Sequence, residues 1–142
     1  MNNGLIATVS ATIDAPSAAV WRALVTPATI REYLSGTTVT SDWVEGSPIV
    51  WRGEWQGRAY EDKGIILQIV PERVLEYSHF STLAELPDIP ENYHIITVEL
   101  SAEGARTRVI VSQDNNPTER AREHSETTWG LMLTALKRFL ER

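Results

Sequence analysis

The chain has 142 residues, with 13 Lys and Arg against 19 Asp and Glu, no cysteine and five tryptophans. That length fits one domain, residues 1–142, with a core large enough to need no disulfide or metal staple. Lack of cysteine excludes disulfides, thiolate zinc sites, iron–sulfur clusters and a Cys nucleophile. The net charge of −6, with scattered arginines and no basic block, disfavours phosphate backbones, so no nucleic-acid partner is expected.

Met1-Asn2-Asn3-Gly4 carries no basic leader, and no apolar run approaches the roughly 18 residues of a membrane span. A cytoplasmic protein without a membrane span is expected. Leu5, Ala7, Val9, Ala11 and Ile13 alternate with polar residues, which predicts a half-buried strand. Pro16 then suits the first position of a helix carrying Val20, Trp21, Leu24 and Val25. Thr26-Pro27 repeats the start signal, and Ile30, Tyr33 and Leu34 form the stripe of a second short helix.

From Thr37 the period becomes two. Strands are predicted at Thr37–Trp43, Ile49–Trp55, Arg58–Val70, Val74–Phe80, Tyr93–Leu100 and Arg106–Gln113. Short turns such as Gln56-Gly57, Pro71-Glu72 and Ala102-Glu103-Gly104 make antiparallel hairpins in sequence order. Asn116-Pro117-Thr118-Glu119 reads as a cap and start signal for a final helix of about 25 residues. Its stripe is Trp129, Met132, Leu133, Leu136 and Leu140, and Gly130 is expected to mark a close approach to the sheet. One amphipathic helix cannot cover a flat seven-stranded sheet, so the sheet must curl.

Several local runs carry a resemblance. Thr12-Ile13-Asp14-Ala15-Pro16 with Val20-Trp21-Arg22-Ala23-Leu24, then Pro27 and Tyr33, form one group. Gly64-Ile65-Ile66 with Pro71-Glu72-Arg73-Val74-Leu75-Glu76-Tyr77, Gly104 to Val109, and Trp129 to Phe139 follow in order. Together they resemble the START-like (SRPBCC) superfamily, and within it the family of the C-terminal domain of the activator of the heat-shock-protein-90 ATPase. The resemblance spans essentially the whole chain. Two departures are Trp129-Gly130, where the family usually has the reverse order, and Gly46-Ser47-Pro48-Ile49 at the third strand. The resemblance implies an α+β helix-grip fold: a curved antiparallel seven-stranded sheet wrapped around a long C-terminal helix, with two short helices after strand one.

Strand parity places Trp51, Trp55, Tyr77, His79, His94 and Gln113 on the inward face, closed by Trp129, Met132 and Leu133 of the helix. These nine describe the walls of a ligand pocket, the preferred reading, with a filled core of satisfied polar atoms as the alternative. His79, His94 and Tyr77 are the candidate acid–base residues, with no partner evident beside them. Ser78 alternates outward, which argues against a Ser–His nucleophile. Asp114-Asn115-Asn116 lacks calcium-loop spacing and reads as turn and cap, and His124 as a solvated helical residue. The long connection Ser81–Asn92, with Leu83, Leu86 and Ile89, is either a lid or a hairpin tip.

Three functions follow. The first is binding of a small hydrophobic or aromatic molecule, with no metal and no cofactor. The second is a cyclase, dehydratase or hydrolase using His79, His94 or Tyr77. The third is a protein-binding regulator of a chaperone ATPase, ranked last because the companion domain of that regulator is missing from the chain. A monomer or homodimer is expected.

Overall fold

The computed structural model describes residues 4–142; Met1, Asn2 and Asn3, which open the expected leader-free start, lie outside the described residues. The elements run β1 (Leu5–Ile13), α1 (Ser17–Val25), α2 (Pro27–Tyr33), β2 (Thr38–Ser41), β3 (Pro48–Trp55), β4 (Arg58–Val70), β5 (Val74–His79), β6 (His94–Glu103), β7 (Arg106–Asn116) and α3 (Glu119–Leu140). Two single 3₁₀ turns, Thr82–Ala84 and Pro90–Asn92, lie between β5 and β6.

The seven strands form one antiparallel sheet in the order β1-β7-β6-β5-β4-β3-β2. Strands two to seven pair with their chain neighbours. Gln56 and Gly57 both adopt positive φ, which closes β3–β4 as a tight hairpin. By contrast, α1 and α2 carry the chain between β1 and β2, which form opposite edges of the sheet. Gly64 permits the closest passage: a Cβ there would lie 1.6 Å from the Ser78 carbonyl oxygen.

Helix α3 lies mainly on β1 and β7, with α1 and α2 against its flank. Lys137 Nζ donates to the Thr12 carbonyl, and the Asp14 amide donates to Glu141 Oε2. Leu133 and Leu136 point into a core with Ile13, Val20, Ile96, Val98, Val109 and Val111. The helix thus covers one side of the curved sheet. The inner faces of β3, β4 and β5 lie beyond its main contact.

Several expectations fail on local geometry. Leu5 is 40 % exposed, because the β1–β7 register shifts between Leu5 and Ala7. Strand β2 ends at Ser41, and Trp43 takes a left-handed φ of 56° instead of continuing it. Pro16 is the extended cap residue of α1 and Ser17 the first helical one. Thr26 occupies the cap of α2 but its side chain makes no capping bond. Asn116 is no cap: it ends β7, buried, and Thr118 caps α3 by accepting from the Ala121 amide at 3.1 Å. Gly130 has open space where a Cβ would stand, so it makes no close approach.

Candidate functional site

Between α3, α1–α2 and the inner faces of β2–β7 lies a cavity of about 780 Å³ that is partly open to solvent. Four of the five tryptophans (Trp43, Trp51, Trp55 and Trp129) line it, as do all three histidines. Only Trp21 is committed to the core under α1. Aromatic surface is therefore concentrated at a void, which a filled core would not need.

Eight of the nine expected wall residues line the cavity. Leu133 does not. It is 2 % exposed and packs in the core between α3 and the sheet, one helical step from Met132, which does line the space. Trp55 reaches only the mouth, 56 % exposed at the end of β3. His124 also lines the rim, although it is exposed as expected. In the long connection, Leu83 lines the cavity, while Leu86 and Ile89 face solvent. Only the first part of that segment therefore borders the mouth.

The floor is built on Trp51. Its ring lies 5.1 Å from that of Tyr77 and 4.9 Å from that of His79, the latter edge-on at 70°. His79 and His94 are register partners on β5 and β6, which sets the two rings side by side on the sheet. The partner that sequence reasoning missed is Asp62, directly across β3–β4 from Trp51. Its Oδ2 lies 3.1 Å from His79 Nε2, and its Oδ1 accepts from the Thr82 amide at 3.1 Å. Parity carried the signal, since Tyr60, Asp62, Gly64 and Ile66 share one face of β4 and Ile66 is fully buried. A register shift after Ile66 flips the rest of the strand and obscures that pattern.

In the neutral rings, the partners fix the tautomers. A carboxylate only accepts, so His79 carries a proton on Nε2 and turns its Nδ1 lone pair elsewhere. His94 Nδ1 lies 2.9 Å from the Asp114 carbonyl oxygen, so that nitrogen donates and Nε2 keeps the lone pair. Among the described residues, neither remaining ring nitrogen has a hydrogen-bond partner.

Tyr77 is also unpaired, and its hydroxyl is not sealed off by protein, so it opens to the cavity. Burial, reinforced by nearby Tyr33, pushes its phenol well above the ordinary tyrosine range, which keeps the proton on. Tyr33 is raised by burial too and donates to the Ala23 carbonyl. Gln113, by contrast, is spent on structure. Its Oε1 accepts from Trp129 Nε1 at 2.7 Å, and its Nε2 donates to Ser125 Oγ, which donates to Asn116 Oδ1. This chain holds the Trp129 wall at one angle. No three His, Asp or Glu side chains group closely enough to hold a metal among the described residues.

A family model described as Activator of Hsp90 ATPase homolog 1-like protein matches residues 14–141. The chain belongs to that family. The match and the fold agree with the START-like (SRPBCC) resemblance read from the sequence. A Cytophaga hutchinsonii protein of known solution structure is 55 % identical over 99 % of this chain and 97 % of its own, with a TM-score of 0.87. Two more distant structures share the fold. The Aha1 dimer from Colwellia psychrerythraea is 20 % identical, covering 96 % of each chain, at a TM-score of 0.74. CalU16 from Micromonospora echinospora is 22 % identical, covering 94 % of this chain and 74 % of its own, at a TM-score of 0.74. No curated protein matches the chain.

Proposed function

We propose that this family member binds a small hydrophobic or aromatic molecule in the cavity between sheet and C-terminal helix. The observation that carries the reading is the 780 Å³ space itself, walled by four tryptophans. Its size lies inside the range of roughly 300–1,000 Å³ usual for small-molecule sites. Family membership does not choose the activity, because one fold hosts many functions. Native mass spectrometry of protein purified from its own cells tests the proposal. A bound small molecule that is lost in Trp51→Ala supports it. A wild-type protein that arrives empty and takes up no apolar probe refutes it.

The Asp62–His79 hydrogen bond favours one second reading, proton transfer on the bound molecule. Asp62 orients the ring, His79 Nδ1 takes a proton from an acidic carbon or hydroxyl of the ligand, and Tyr77 donates a hydrogen bond to the oxygen that gains charge. Deuterium uptake from heavy water next to the carbonyl of aryl ketones measures this. Uptake no faster than with His79→Gln removes the enzymatic reading and leaves binding intact. On either reading the chain is expected to work in the cytoplasm, as a monomer or homodimer.

A further inference from the structure

The cavity has a one-sided electrostatic character. The chain holds 13 lysines and arginines, yet none of them lines the cavity among the described residues. Among the described residues, the only formally charged carboxylate or cation on its wall is Asp62, whose side chain is 13 % exposed. The histidines do not supply the missing positive charge when neutral. Two of the three, His79 and His94, hold their proton against an acceptor in the protein, Asp62 for His79 and the Asp114 carbonyl for His94, and the third, His124, stands at the exposed rim. His79 and His94 each leave only an acceptor lone pair. The Tyr77 hydroxyl is the free donor of this group, and it accepts as well.

An ionised acid brought here loses hydration, meets no counter-ion and sits near a resident carboxylate. Burial of an unpaired charge is among the costliest events in binding. A ligand hydroxyl or amine, however, finds two lone pairs without a protein partner. We infer that the site selects flat apolar molecules that carry hydrogen-bond donors, such as phenols, and rejects those that carry an ionised carboxylate. This rests on the binding reading above and adds the ligand's chemical class to it.

The test compares 2-methylnaphthalene, 2-naphthol and 2-naphthoate at about pH 8, where the naphthol is neutral, the naphthoate ionised and free histidine uncharged. Binding is read as the titration of tryptophan indole signals by NMR. The expected order is naphthol first, then methylnaphthalene, with naphthoate weaker than naphthol by tenfold or more. Thr128→Lys, at the exposed rim, places an ammonium at the cavity and should bring naphthoate to within a few-fold of naphthol.

The failures are distinguishable. If none of the three probes binds, the cavity reading falls and this inference with it. If wild-type protein binds naphthoate as well as naphthol, only the charge selection falls. If naphthol binds no better than methylnaphthalene, the donor requirement falls. If Thr128→Lys leaves naphthoate excluded, shape rather than charge is responsible, and the inference is overturned.

Discussion

At the residue scale, the site depends on a side chain that is not there. Gly64 lies against the peptide joining Ser78 to His79, so a methyl group at 64 must push that peptide away. The obstacle is backbone, flanked by the Lys63–Phe80 bridge, and it has no rotamer to adopt. Gly64→Ala is expected to cost about 3 kcal/mol or more, at the severe end for a single substitution. Because the displaced peptide carries His79, the Asp62–His79 hydrogen bond should break in the fraction that still folds. Urea unfolding measures the first effect and the His79 ring signals the second. A loss below 1 kcal/mol with those signals unmoved would show that β5 yields easily. Individual residues were the hardest thing to read from sequence. Tyr77, His79 and His94 announced themselves by parity with Leu75 and Ile96. Asp62 did not, because acidic residues on a strand normally face water and a register shift hid its parity. Leu133 misled for the opposite reason. Its spacing matches Met132 and Trp129, and only the packing of α3 on β1 and β7 decides which of them meets open space.

At the element scale, the segment between β5 and β6 is tied down at both ends by carboxylates. Asp62 holds Thr82 at the start. Near the end, Asp88 pairs with Lys63 and accepts from the Tyr93 hydroxyl at 2.7 Å. Phe80 stacks on Tyr93 beneath, with ring centroids 5.1 Å apart. The bond from Lys63, then that from Tyr93, holds the Asp88 carboxyl below its ordinary range. Lys63 is raised, chiefly by its bond to Asp88. The signs differ. A depressed carboxyl adds stability that is present above its unfolded range and is lost as pH falls through the folded value. A raised ammonium adds stability that is present below its unfolded range and is lost as pH rises through the folded value. Both groups are exposed, so screening keeps the contribution small. The segment should therefore loosen first at the acid edge, below the usual aspartate range, and again in strong alkali. Tyr93 ring signals by NMR should shift at acid pH before the core unfolds, and Asp88→Asn should reproduce that shift at neutral pH. Ring signals that move only with global unfolding would mean that Phe80 stacking holds the segment alone. The sequence marked this connection as long, but the two ties that anchor it to β4, Asp62 to Thr82 and Lys63 to Asp88, join residues 20 or more apart, which no local pattern encodes.

At the scale of the whole molecule, one half of the fold is filled and the other is not. Over β1 and β7, α3 and α1 interdigitate with the sheet, and Leu136 is completely buried there. Toward β3, β4 and β5 the same helix presents Trp129 and Met132 to the cavity. The alternation of strands and the helical stripe made the elements and their order legible. Periodicity could not say whether the stripe met side chains or space, since both need the same apolar face. Stability and binding should then separate along α3. Leu136→Ala deletes packing in the filled half, where such truncations cost about 2–5 kcal/mol. In a domain of this size that lowers Tm by roughly 10 °C. Met132→Ala removes atoms that already border a void, so no new enclosed cavity forms and the cost should be well under half as large. Ligand response should run the other way. A ligand that binds only the folded state adds about 2.7 kcal/mol at a hundred times its Kd. Leu136→Ala should keep the full ligand-induced rise in Tm, while Met132→Ala should change it, because its side chain is part of the wall. Thermal melts of both variants, with and without a saturating naphthol, check the pair. If Met132→Ala proves as destabilising as Leu136→Ala and leaves the ligand-induced rise unchanged, the two halves of the molecule are one continuous core.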